Sequence, residues 1–154
     1  MKSLGLFTLQ GSFESLKWHQ VRLFDGDFGT AYRITKFEIV IYDPDNSGLD
    51  LYGTLATEEL DYTEWNLADN RQIGWASMNG AGGATGPLAQ PFNLVNRDNL
   101  IVEDLWIFGE TNATTGPSKF VNYYIEMEKF DVGLSIGAYT MVRNASQDFP
   151  PTPN

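Results

Sequence analysis

Residues 99–131 read NLIVEDLWIFGETNATTGPSKFVNYYIEMEKFD, a stretch that predicts two β-strands and the turn-rich connection between them. The first strand is apolar in both of its alternating sets, which are Leu100, Val102, Trp106 and Phe108 on one face and Ile101, Leu105 and Ile107 on the other. Such a strand is expected to be covered on both faces. The second strand alternates between an apolar set, Val121, Tyr123, Ile125 and Met127, and a polar set, Asn122, Tyr124, Glu126 and Glu128. This alternation predicts one face against a core and one face in water.

The remainder of the chain repeats this pattern of short extended segments separated by turn residues. Six further strands are predicted, at Leu4–Phe13, Leu16–Phe24, Tyr32–Tyr42, Leu49–Thr57, Arg71–Met78 and Phe92–Val95. About eight strands with Gly, Pro and Asn turns predict an all-β fold, an antiparallel β-sandwich of jelly-roll type with long Gly/Thr/Asn loops.

The predicted strand Tyr32–Tyr42 carries two further expectations. Its apolar residues alternate between two faces, with Phe37 and Ile39 on one and Ile34 and Val40 on the other. A strand that is apolar on both faces is expected to be central in its sheet. The turn residues Asp43–Gly48 follow it and predict a hairpin with the next strand.

The chain has the length of one domain, because 154 residues suffice for a single well-buried core. We expect a β-sandwich domain over residues 1–148 and an extended tail over residues 149–154, where prolines prevent a helix or a central strand. Residues 134–146 fit both a helical face and a strand alternation. Glycines and β-branched residues in this segment favour the strand.

The charge and hydropathy of the chain argue against two kinds of partner. The 20 acidic and 10 basic residues give a formal net charge of −10. A phosphate backbone repels a protein this acidic, so we expect no direct binding of nucleic acid. No apolar run approaches the ~18 to 20 residues of a membrane-spanning helix, so we expect no membrane insertion.

The sequence offers no catalytic motif. Cysteine is absent, His19 is the only histidine, and neither a phosphate-binding loop nor a nucleophile elbow occurs. The acidic segment between Glu58 and Glu64 could hydrolyse glycosides if two carboxylates stood at the required separation, but a solvated acidic loop explains it with fewer assumptions. We therefore expect a protein that is not an enzyme and has no catalytic residues.

Asp43, Asp45 and Ser47 match the first half of a calcium-binding loop, in which oxygen ligands alternate and a glycine, here Gly48, permits the bend. The second half of the motif is missing, because Thr54 stands where a bidentate glutamate would complete the shell. A turn with local Asx bonding accounts for the same residues. We expect no cofactor and keep Ca²⁺ at this loop as the alternative.

Trp65 is the residue most suited to binding a glycan. It lies between Glu64 and Asn66 in the acidic loop, where an exposed ring could stack on a sugar. For the four tryptophans as a set, burial in the core or at a subunit interface is the competing interpretation.

Three segments give the chain a resemblance to a class of known proteins: Asp69–Ala76, Asn99–Leu105 and Val121–Glu128. Together with the order of short strands, they resemble small virion structural proteins of marine bacterial or archaeal viruses. The resemblance implies a jelly roll that assembles in symmetric copies as a capsid, vertex or decoration subunit, with itself and other virion proteins as partners. It also implies location in the virion and no catalytic residues.

We therefore expect a non-enzymatic, self-associating virion component. Closed symmetric association would also bury sheet edges that otherwise invite uncontrolled pairing. The alternative is a carbohydrate-binding β-sandwich, an adhesin or receptor-binding module, that acts with or without the assistance of calcium.

Overall fold

The computed structural model describes residues 2–23, 26–27, 29–43, 50–79, 91–112 and 116–133. In this part of the chain there are eight β-strands and a single-turn 3-10 helix, Pro117–Lys119. The strands are β1 (Lys2–Glu14), β2 (His19–Val21), β3 (Thr30–Ile41), β4 (Asp50–Ala56), β5 (Gln72–Asn79), β6 (Phe92–Val95), β7 (Leu105–Thr111) and β8 (Phe120–Asp131).

The strands form two antiparallel sheets that pack face to face. The smaller sheet has the order β1-β8-β3, and the larger has the order β2-β7-β4-β5-β6. The predicted all-β sandwich is confirmed. Its core lies between the sheets, and its largest fully buried side chains include Ile34, Phe37, Leu55, Ile107 and Ile125.

The strand pairing is nested in the manner of a jelly roll. The first strand pairs with the eighth, the second with the seventh and the fourth with the fifth. Rolling up one long hairpin produces this nesting, and it would also pair β3 with β6. Here β6 hydrogen-bonds to β5 instead, and among the described residues no ladder joins it to β3.

A groove separates β3 from β6 where that fourth pair would form. It has a volume of about 550 Å³ and is lined in part by Thr35, Phe37, Asn93 and Arg97. The Arg97 guanidinium crosses the groove and donates to the Thr35 carbonyl at 3.3 Å. Side chains therefore bridge this side of the sandwich in place of a backbone ladder.

Residues 99–131 fold largely as predicted. On β8, Val121, Ile125 and Met127 are buried. On the preceding strand, both alternating sets are largely covered, although β7 begins only at Leu105. Ile101 forms an isolated bridge with Tyr32 rather than continuing the strand.

Two expectations about β3 are wrong. The strand is at the edge of its sheet, because β8 pairs with it on one side and no described strand pairs with it on the other. A bulge between Ile34 and Lys36 shifts the alternation, so that Ile34 and Phe37 are both buried, while Val40 is exposed. The strand keeps one dry face and one wet face.

The predicted hairpin after β3 is also wrong, since β3 and β4 belong to different sheets. The segment between them crosses from one sheet to the other, and residues 44–49 lie outside the described part of the chain. The predicted strand Leu16–Phe24 shortens to β2, because Leu16 has a positive φ of 69° and ends the first strand in a turn. Residues 134–146 and the tail 149–154 lie outside the described residues, as does position 1.

The end of β1 is fixed to the core by a close approach to the other sheet. The Phe13 ring is buried over Gly109 on β7. A Cβ atom at position 109 would lie 2.6 Å from Phe13 Cζ, which is too close for any side chain. Glycine at this position is therefore what lets the two sheets meet around Phe13.

Candidate functional site

Most residues of β1 are exposed, and the strand is buried only near its C-terminal end. Leu4, Leu6 and Phe7 are 45%, 78% and 46% exposed, and a cluster of exposed apolar side chains on one strand is more informative than single exposed residues. Leu6 and Phe7 are neighbours in the strand, so they point to opposite faces of the sheet. The N-terminal half of β1 is thus exposed and apolar on both faces.

The backbone of β1 also has an unused side. Among the described residues β1 pairs with β8 alone, so every second residue directs its N–H and C=O groups away from the sheet. Edge strands are usually protected by shortness, proline, bulges or charges. This strand has 13 residues, no proline, and one bulge near its start, between Ser3 and Gly5.

The charges of β1 lie only at its two ends. Lys2 opens the strand and Glu14 closes it. Glu14 forms ion pairs with Lys17 at 3.0 Å and with Lys119 at 3.4 Å. The hydrogen bond from Lys17 is the main cause of a lowered pKa for the Glu14 carboxyl. Between these ends, β1 carries no charge.

A second feature is the long connection between β4 and β5, residues 57–71, which lies on the outer face of the larger sheet. Gly53 faces the core against Ile39, so its neighbour Tyr52 points outward. The Trp65 ring contacts Tyr52, which places the loop over that outer face. Buried Leu60 anchors it further.

A buried ion-pair network holds this loop together. Asp69 has a fully buried carboxylate that accepts from Arg71 Nε at 3.0 Å and from Arg71 Nη2 at 2.9 Å. Arg71 Nη1 donates to Glu58 at 2.8 Å, and the Tyr62 hydroxyl also donates to Asp69. Burial alone would raise the pKa of Asp69, but the hydrogen bonds from Arg71 and Tyr62 outweigh it and lower that pKa.

Gln72 is the second element that orders the loop. Its buried amide nitrogen donates to the Glu64 carbonyl at 2.8 Å, and its amide oxygen accepts from the Asn66 N–H at 3.0 Å. The same oxygen accepts from Trp75 Nε1 at 2.8 Å. One side chain therefore fixes the backbone on both sides of Trp65.

Trp65 lies at the surface of this ordered loop with about 36% of its area exposed. The Tyr52 ring meets it edge-on, at 6.2 Å between centroids and an interplanar angle of 84°. Phe92 of β6 lies 5.9 Å away on a plane tilted by 31°. A pocket of about 410 Å³, which Tyr52, Thr63, Glu64 and Trp65 line, lies beside the indole.

The floor of this pocket carries a perturbed phenol. Burial raises the pKa of Tyr52 to about 12, and its hydrogen bond to the Glu110 carboxylate adds to the effect. Tyr62 behaves in the same way against Asp69, with a pKa raised to about 12 by burial first and by that hydrogen bond second. Both phenols are therefore neutral donors at ordinary pH.

The remaining sequence candidates are distributed as follows. Asp43 lies at the end of the described segment after β3, while Asp45 and Ser47 lie outside the described residues, so the calcium alternative stays a prediction. Among the described residues no group of three or more His, Asp or Glu side chains could hold a metal ion. His19 contacts the Glu14 carbonyl at 3.1 Å and stacks on Phe13, as part of the packing around the end of β1.

The acidic loop uses two of its carboxylates for structure. Both Glu58 and Asp69 form ion pairs with Arg71. This structural role explains their presence in the loop without a part in catalysis. The structural roles of Asp69, Arg71 and Gln72 were not foreseen from the sequence. The signal available was a run of four polar residues, 69–72, directly before a buried strand.

Comparison with known proteins does not assign a function to the chain. No family model matches the chain, and no curated protein matches it significantly. Over the residues described, no helix has both the length and the apolar character to cross a bilayer.

Proposed function

We propose that the protein is a non-enzymatic structural subunit that self-associates through β1. The observation that carries the proposal is a long edge strand whose outer backbone groups pair with no described strand and whose apolar side chains are exposed on both faces. Pairing with another strand would satisfy those groups and cover part of the exposed surface of Leu4, Leu6 and Phe7. The partner proposed is β1 of a second copy.

The sequence of β1 suits antiparallel pairing with itself. In a two-fold register centred on Thr8, Gly5 of each copy lies opposite Gly11 of the other, and the two Lys2 residues lie at opposite ends of the pair. Like charges across a strand pair are unfavourable, and this register brings none together, because Lys2 and Glu14 are the only charged residues of β1.

Net charge favours β1 over other surfaces as the contact. Two copies that each carry a formal charge of −10 repel one another. The single Lys and single Glu of β1 cancel, and the residues between them are uncharged. Association along the β1 edge therefore adds no net like charge at the contact itself.

The specific form of the proposal is a virion component, a capsid, vertex or decoration subunit with itself and other virion proteins as partners. It is supported by the resemblance of the three segments quoted above and by a rigid sandwich of nested strands, an architecture that viral capsid domains use. A closed assembly of identical copies would leave no β1 edge exposed.

The test is a concentration series of the full chain by light scattering and sedimentation velocity. We expect reversible association of the natural sequence and its loss in Leu6→Lys, because a lysine on the edge strand opposes pairing. Val40→Lys is the matched control, since Val40 is an exposed apolar residue on the other edge strand of the same sheet.

Two results would overturn the proposal. The first is a monomer at every concentration of the natural chain. The second is association that Leu6→Lys and Val40→Lys weaken equally, which would mean that added charge rather than the β1 edge is responsible.

A further inference from the structure

We infer that the pocket beside Trp65 is a binding site for a neutral pyranose sugar. The pocket has a volume of about 410 Å³, within the range of small-molecule sites. It lies on the larger sheet, whereas β1 belongs to the smaller one. The inference is therefore independent of self-association.

The first argument is an aromatic ring that is fixed and yet exposed. Trp65 has Tyr52 edge-on against it and Phe92 tilted beside it, so its orientation is set by packing. About 36% of the residue still faces water beside the pocket. A large flat apolar surface held in this way suits the C–H face of a sugar ring.

The second argument is preorganisation of the backbone that carries the ring. Gln72 bonds the Glu64 carbonyl and the Asn66 N–H, the groups directly before and after Trp65. The pair of Asp69 and Arg71 holds the rest of the loop. A ligand that binds here does not have to order the loop, which removes that contribution to the entropic cost of binding.

The third argument concerns the polar groups at the rim and the kind of sugar they fit. Glu64 and Thr63 line the pocket next to the indole, and both are exposed. A carboxylate accepts hydrogen bonds from sugar hydroxyls and repels a sugar acid. The net charge of −10 acts in the same direction. The site therefore favours neutral sugars over sialylated or uronic ones.

The experiment uses the full chain and a panel of lactose, maltose, cellobiose and N,N′-diacetylchitobiose, with sialyllactose as the charged comparison. Binding is followed by tryptophan fluorescence and by saturation-transfer NMR of the sugar. We expect saturable binding of at least one neutral disaccharide, with its ring C–H protons receiving the saturation. Trp65→Ala should abolish the binding.

Glu64→Gln should weaken the same binding about tenfold, because it replaces a charge-assisted hydrogen bond with a weaker neutral one. It is the variant that keeps the test valid if Trp65→Ala disturbs the fold. Glu59→Gln and Tyr42→Ala are controls, because Glu59 is an exposed carboxylate of the same loop and Tyr42 an exposed aromatic elsewhere. Both should bind as the natural chain does.

The inference is overturned if no neutral sugar of the panel binds saturably, or if sialyllactose binds more tightly than lactose. It is also overturned if Glu64→Gln and Glu59→Gln have the same effect. Leu6→Lys separates this site from the proposed function, since that variant should bind sugar normally whether or not the chain self-associates.

Discussion

A regular strand is usually better anchored than a loop, but in this protein the strand β1 is largely exposed and the loop 57–71 is held by buried polar groups. β1 is regular, yet its N-terminal half leaves Leu4, Leu6 and Phe7 largely in water. The loop has no helix or strand, yet Asp69 is fully buried within it and Gln72 fixes its backbone. What secures the loop is the burial and pairing of its polar groups, whereas the outer edge of β1 pairs with no described strand and is the surface that we propose for a partner.

Removal of the buried charge of the loop 57–71 should destabilise the protein more than the other changes considered. Asp69→Asn leaves Arg71 without its main partner, and breaking a buried ion pair costs about 3 kcal/mol or more. We expect that loss in the free energy of unfolding from denaturant titration. Asp61→Asn, an exposed carboxylate of the same loop, should change it by less than about 0.5 kcal/mol. Equal stabilities of the two variants would show that the network does not hold the loop.

A milder perturbation is alkaline pH, which acts on the phenols around the loop. The pKa values of Tyr52 and Tyr62 are raised from 10.0 to about 12, so the folded state holds their protons more tightly than the unfolded state. Their contribution is complete below pH 10 and is lost as the pH rises towards about 12. Thermal unfolding should show this decline, and Tyr62→Phe should flatten it. An unchanged slope in Tyr62→Phe would contradict the assignment.

A substitution in the exposed half of β1 should change the stability of the protein least. Leu6→Thr removes apolar surface from a residue that is 78% exposed, so the dilute protein should keep its stability within about 0.5 kcal/mol. Ile125→Val on the neighbouring strand, where the side chain is fully buried, should cost about 1 kcal/mol. If Leu6→Thr were the more damaging of the two in dilute solution, β1 would be covered within a single chain.

The sequence predicted the fold class because alternation is a local signal. The dry face of β8 and the covered faces of β7 follow directly from side chains spaced two residues apart. The errors came from features that depend on distant partners. The bulge between Ile34 and Lys36 moves Ile34 to the face of Phe37, and the pairing with β8 places β3 at an edge.

The exposure of Trp65 was predicted, whereas its role in binding a ligand stays a prediction. Trp65 was singled out because it lies in an acidic loop, and the structure places it at the surface beside a pocket. The residues that hold it could not be inferred, because polar side chains such as Gln72 indicate solvent when only the sequence is known. The edge position of β1 was equally hidden, because this strand carries neither the proline nor the central charges that usually mark an edge strand.

Amide hydrogen exchange of β1 at low and high protein concentration tests the central claim most directly. We predict that, in dilute solution, amides of alternate residues in the N-terminal half of β1 exchange rapidly, because no described strand covers that edge. At high concentration the same amides should become protected, while those around Gln72 stay protected throughout. Protection along β1 that does not change with concentration would contradict the account.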